Sequence, residues 1–277
     1  MFGNVRRRQT LASFDYQWGH LPDGDAMLSD SWFAGQVDAI VADELLGIDR
    51  GWFAGRTVLD AGCGAGRWTL GLLRLGCRVT AVDFSAHGLA AARAQMERLA
   101  PDAVASGRLE TVRADLLSLP AELASRRFDL VFSFGVLHHT GDTRRALANV
   151  ARLVAADGVL FLYLYGRPSA PAWARTLVNA VRIGRAPLPS SAKQAVLSRL
   201  LPSRDPHQTF DLLSPTINDT LTLETVTSWL SELGLGPVTT TLPHTDLFLR
   251  APRPGAAIPT LPPPAPPHWF ERYRRRS

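Results

Sequence analysis

The chain has 277 residues, 46% of them hydrophobic and 20% charged, with a formal net charge of +5 and two cysteines. That length and balance fit one large domain or two small ones. Too few cysteines are present for a disulfide framework, and no apolar run reaches membrane-spanning length. The positive charge sits at the two ends. Arg6, Arg7 and Arg8 carry it at the start, and Pro252 to Ser277 holds five arginines against Glu271. The stretch between them is left slightly negative, which speaks against a nucleic-acid-binding domain. Met1 to Thr10 leads into no apolar signal core, so a cytoplasmic, non-membrane protein is expected.

Met1 to Asp30 has no long period but holds an aromatic cluster, Phe14-Asp15-Tyr16-Gln17-Trp18. It reads as a clasp onto the body or as a lid over a ligand. Ser31 to Gly47 is an amphipathic helix with Ser31 as its cap, and Trp32, Phe33, Val37, Ile40, Val41, Leu45 and Leu46 form its inner face. Thr57 to Asp60 is a first strand, and Gly66 to Leu75 a first helix stopped by Gly76. Val79 to Asp83 is a second strand. Ser85 caps a helix to about Leu99. Leu109 to Ala114 is a third strand, with Asp115 at its end. Phe128 to Phe134 is a fourth, apolar on both faces as a central parallel strand is. Thr143 to Val154 is a helix, and Val159 to Tyr165 a fifth strand.

This alternation predicts an α/β fold, a doubly wound and mostly parallel sheet with right-handed crossovers. From Arg167 to Ser214 the alternation stops. Ala172 to Ile183 and Ser191 to Leu201 read as helices of an insertion that suits either a roof over a small-molecule pocket or an oligomer interface. Monomer and homodimer both stay open. Leu223 to Leu233 is a helix, and Val238 to Thr241 with Leu247 to Leu249 make a terminal strand pair, for seven strands in all. Beyond Ala251 the proline-rich tail is expected to be extended or mobile, with docking through Trp269 and Phe270 as the alternative. The expected division is 1–55 lid and helix, 56–166 cofactor core, 167–214 insertion, 215–251 end of the core, and 252–277 tail.

The chemistry centres on the turn after the first strand. Gly62, Gly64 and Gly66 allow close approach of a ligand to the backbone at a helix start. The dinucleotide fingerprint G-x-G-x-x-G is not met, because Arg67 stands where its third glycine belongs. Asp60 ahead of the turn disfavours a pyrophosphate and suits a ligand with a positive amino group. Asp60, Asp83 and Asp115 each close a strand, so they face one crevice. No Cys/His spacing indicates a metal site, and Cys63 is a small residue in a tight turn, not a nucleophile.

On VLDAGCGAGRWT (58–69), AVDFS (81–85), RADLLSLP (113–120) and FDLVFSFGVLHHT (128–140), the sequence resembles the class I S-adenosylmethionine-dependent methyltransferases. The likeness runs from about Arg56 to Gly166 and resumes at DLLSP (211–215). It implies a Rossmann-like methyltransferase fold with S-adenosyl-L-methionine as cofactor and S-adenosyl-L-homocysteine as product. It implies that Gly62, Gly64 and Gly66 meet the methionine part, with Asp60 near its amino group. Asp83 would hold the ribose hydroxyls and Phe84 the adenine face. Asp115 and Leu116 would take the adenine edge, Phe134 and Val136 the slot where methyl meets acceptor, and Tyr16 and Trp18 the cover. For a general base the candidates are His139, preferred, then His138, Tyr165 and His207, with Tyr163 and Asp211 further off. The expected acceptor is a small organic molecule methylated on oxygen or nitrogen, of the kind found in secondary metabolism. A protein or peptide acceptor held by the arginine-rich ends is the alternative, and a nicotinamide-dependent oxidoreductase the distant one.

Overall fold

The computed structural model describes residues 2–20, 26–167, 184, 188–192, 195 and 214–276. The insertion helix expected at 172–183, all of that expected at 191–201 except 191, 192 and 195, and His207 and Asp211 lie outside the described residues.

Seven strands form one sheet in the order β3-β2-β1-β4-β5-β7-β6. They are β1 (Thr57–Ala61), β2 (Arg78–Asp83), β3 (Leu109–Arg113), β4 (Phe128–Phe134), β5 (Val154–Leu164), β6 (Thr239–Thr240) and β7 (Leu247–Pro252). The first five run parallel. β7 pairs antiparallel with both β5 and β6. Successive residues of a strand point to opposite faces, so each strand feeds two cores. Val58, Leu130, Phe132 and Phe161 join one. Leu59, Val131, Leu160 and Leu162 join the other. Strand order reverses between β1 and β4, and the crevice beyond their carboxyl ends is where such sheets hold ligands.

Helices cover both faces: α1 (Phe2–His20), α2 (Ala26–Ser29), α3 (Ser31–Ala39), α4 (Arg67–Arg74), α5 (Ala86–Leu99), α6 (Pro101–Ala105), α7 (Ala121–Ala124), α8 (Thr143–Ala151), α9 (Leu223–Glu232) and α10 (Trp269–Arg276). Several boundaries differ from the sequence expectation. Asp30, not Ser31, caps α3, accepting from the Phe33 amide at 2.8 Å. The amphipathic run then changes to a π-helical stretch, Ile40–Leu46, ended by Gly47 at φ +58°. β5 begins at Val154, inside the expected helix. The pairing slips between Phe128 and Leu130, so Asp157-Gly158 is part of an irregular strand start.

The tail follows the docking alternative. It is neither free nor merely extended. The Asp49 amide donates to Pro259 O at 2.9 Å and the Leu261 amide to Gly47 O at 2.8 Å. Its last helix inserts Trp269, 7% exposed, against Phe33 and Trp68, with ring centroids 6.0 and 5.5 Å away. The Trp269 amide donates to the buried Glu44 carboxylate at 2.8 Å. Composition forbids the tail a core of its own, but not a place in the core of the body.

Candidate active site

The turn after β1 is built from three glycines at positive φ: Gly62 at +87°, Gly64 at +53° and Gly66 at +88°. Two of them leave no room for a side chain. A Cβ on Gly62 would lie 2.3 Å from Val136, and one on Gly64 would lie 2.6 Å from Trp18. The Gly62 and Cys63 amides donate to Val82 O at 2.7 and 3.0 Å, binding the turn to the end of β2. Burial pushes the Cys63 thiol well up, so it stays protonated.

Asp83 secures the same junction. One carboxylate oxygen accepts from the Gly64 amide at 2.9 Å and the other from the Ser85 amide at 2.8 Å. Burial raises its pKa, with these backbone hydrogen bonds opposing the rise. Each oxygen has a further lone pair, so the carboxylate can still accept from a ligand. Asp60 is placed differently. It is 1% exposed and accepts from the Thr69 hydroxyl at 2.6 Å. Burial pushes its pKa up to about 7, against the Thr69 hydrogen bond and with the Asp83 charge adding. A carboxyl that titrates near neutrality gains its full charge only beside a cation, which fits an amino group as partner.

At the end of β2, Phe84 is 36% exposed, with the Arg113 guanidinium 5.8 Å from its ring centre. At the end of β3, Leu116 is buried, and Asp115 accepts from the Leu117 amide at 3.0 Å and forms an ion pair with Arg7. At the end of β4, Phe134 stacks on Tyr163 at 4.3 Å and lies 4.7 Å from Trp68.

Past β4, a 3-10 turn, Leu137–His139, carries the two histidines. His139 is 5% exposed, and its Nδ1 sits 2.8 Å from Ile217 O. A carbonyl accepts only, so Nδ1 carries the hydrogen and Nε2 of the neutral ring is the basic nitrogen. His138 is fully buried, and neither ring nitrogen has a hydrogen-bond partner among the described residues. Burial, then the neighbouring His139, holds its pKa well below the usual histidine value. Its ring lies 4.1 Å from both His139 and Tyr165. Tyr163 donates to Asp246 at 2.9 Å, and burial raises its pKa.

One helix covers all of this. Arg7 of α1 reaches Asp115, and Phe14 packs 5.0 Å from His139. Asp15 accepts from Ser85 Oγ at 2.7 Å and pairs with His87 at 3.1 Å. Trp18 lies on Gly64. The Tyr16 ring stacks on His20 at 4.4 Å. Trp18 covers the glycine turn. Arg7, Phe14 and Trp18 recur at helical spacing, a signal present in the sequence but masked by the polar residues around it. Arg7, Phe14, Trp68 and Ile217 are the contacts that sequence reasoning missed.

Residues 59–162 match the family model of the methyltransferase domain. The chain is 38% identical over 112 residues to an uncharacterized methyltransferase of Mycobacterium tuberculosis, covering 40% of this chain and 52% of that protein. It is 30% identical over 144 residues to the ubiquinone biosynthesis O-methyltransferase of Sodalis glossinidius, covering 52% and 54%. Thus the chain spans about half the length of these relatives. An O-methyltransferase family protein from Burkholderia thailandensis shares the fold, with a TM-score of 0.52 at 17% identity over 79% of this chain and 55% of that one. The matched stretch is thus similar to methyltransferase domains. S-adenosylmethionine is the cofactor that the resemblance in the sequence implies. The glycine cradle and the part-exposed Asp83 carboxylate fit it. No described helix is long and apolar enough to cross a membrane, and the described residues contain no cluster that could hold a metal ion.

Proposed function

We propose that this protein transfers the methyl group of S-adenosylmethionine to an oxygen or nitrogen of a small organic acceptor, releasing S-adenosylhomocysteine. The observation that carries the reading is the hydrogen bond of His139 Nδ1 to Ile217 O, which leaves Nε2 as the basic nitrogen. His139 lies in the 3-10 turn after β4, three residues past Val136, which packs on Gly62. The bound cofactor supplies a methyl group already activated on a sulfonium. Most of the protein's task is then alignment, which contributes roughly 7–11 kcal/mol in well-oriented reactions. Gly62, Gly64 and Gly66 give the methionine part its approach to the backbone, with Asp60 toward its amino group. Asp83 accepts from the ribose, Phe84 covers the adenine, and Leu116 and Asp115 meet its edge once Arg7 yields. Phe134 and Val136 shape the slot for the methyl group. A hydroxyl acceptor must lose its proton as its oxygen bonds to the methyl carbon. His139 Nε2 would take that proton. His138 stays neutral and, with Tyr165, walls the base.

Two substitutions test the reading. Asp83→Ala removes a charged hydrogen-bond acceptor worth about 1.5–3 kcal/mol. Cofactor affinity, measured by calorimetry, is expected to fall about 10- to 100-fold. Unchanged affinity overturns the ribose assignment. His139→Ala is expected to lower turnover on a hydroxyl acceptor by about 10²–10⁴ while cofactor affinity holds. An undiminished rate of S-adenosylhomocysteine release removes His139 as the base.

A further inference from the structure

We propose that the C-terminal helix and Trp32 form a binding site for a phosphate group, separate from the methyl-transfer crevice. A cavity of about 490 Å³ lies between α3 and α10, lined by Trp32, Gln36, Pro267, Arg272, Arg275 and Arg276. The three arginines stand at i, i+3 and i+4, so they share one face of α10. No acid lines the cavity. The guanidinium groups of Arg272 and Arg276 both lie on the Trp32 ring, 5.7 and 5.5 Å from its centre. Arg272 is also bound to the Glu44 carboxylate and donates to Pro267 O at 2.8 Å. Arg275 and Arg276 are exposed, and neither is ion-paired with an acid among the described residues.

Cations are favoured at any helix C-terminus, and that alone accounts for arginines near residue 276. It does not account for their being gathered around a hollow. Arg272 is neutralised by Glu44, which leaves the adjacent charges of Arg275 and Arg276 to repel one another unless an anion joins them. Two of the three are already ordered by the indole beneath them, so little side-chain freedom is lost when a ligand arrives. Planar guanidinium forks match the oxygens of a phosphate, and several forks on one anion favour a doubly charged group over a single carboxylate. Gln36 adds an amide at the rim.

Calorimetric titration of the full chain with pyrophosphate, in the absence of S-adenosylmethionine, tests this site without reference to catalysis. Saturable one-to-one binding is expected. Arg275→Ala and Arg276→Ala are each expected to weaken it about tenfold or more. Arg144→Ala, an exposed arginine paired with Glu232 elsewhere on the surface, is expected to leave it unchanged. AMP binding tighter than pyrophosphate assigns the phosphate to a nucleotide, and weaker binding to a free phosphate. Absence of binding at millimolar pyrophosphate overturns the proposal. So does binding that ignores both variants, or that falls equally with Arg144→Ala. A peptide rich in Asp and Glu that displaces pyrophosphate overturns the phosphate assignment. None of these results bears on methyl transfer, which the Asp83 and His139 variants test.

Discussion

Gly62→Ala is expected to cost about 2–5 kcal/mol of folding stability and to abolish cofactor binding. Two penalties combine. A left-handed backbone costs a non-glycine residue about 1–2 kcal/mol. Gly62 is at φ +87°, squarely in that region. The new methyl group would also lie 2.3, 2.6 and 2.8 Å from three carbons of Val136. Overpacking of that kind costs about 1–3 kcal/mol. Val136 cannot retreat freely, because the His139 amide donates to its carbonyl at 2.9 Å and closes the 3-10 turn. The strain therefore reaches both the cofactor turn and the base. Gly107→Ala separates the two penalties. Gly107 is also at positive φ, +67°, but a Cβ there meets nothing within 4 Å. Urea unfolding should give Gly107→Ala only the backbone cost. If Gly62→Ala proves as mild as Gly107→Ala, the packing around the turn is not as described.

Trp269→Ala should be nearly as damaging, at about 3–5 kcal/mol for removing a large buried aromatic side chain. The site is far from the crevice in sequence but adjacent to it in packing. Trp269 touches Trp68, Trp68 is the second residue of α4, and α4 starts directly after the glycine turn. Trp68 also packs on Phe134. Loss of Trp269 should thus lower cofactor affinity as well as the unfolding midpoint. Phe270→Ala, half-buried beside it, is the milder comparison. A Trp269→Ala protein less than about 1 kcal/mol below wild type would show that the cavity closes without cost. The same packing alters the use of a tail deletion. Removing residues 252–277 would strip a core residue, so lost activity would not reveal whether the arginines hold an acceptor.

The sheet was legible because its signals are local. Each parallel strand is a short apolar run closed by an acid or a glycine, and the alternation with helices leaves few topologies. The glycine turn and the acids at Asp60, Asp83 and Asp115 were legible for the same reason. What escaped was nonlocal. The engagement of Asp60 by Thr69 depends on a helix turn nine residues on. The hold of Ile217 on His139 joins residues 78 positions apart. In α1, Arg7, Phe14 and Trp18 each face a different strand end, so no single apolar stripe announces the helix. Docking of Trp269 stood only as an alternative, because the prolines before it exclude an independent core but say nothing about where the tail lies.

Returning to α1, its placement has a consequence for traffic through the crevice. One rigid body rests on the ends of β1, β2, β3 and β4 at once, through Trp18, Asp15, Arg7 and Phe14. Arg7 holds its first half by charge on Asp115, while Asp15 on Ser85 holds its second half between the aromatic contacts of Phe14 and Trp18. Displacing this one helix would uncover all four strand ends together.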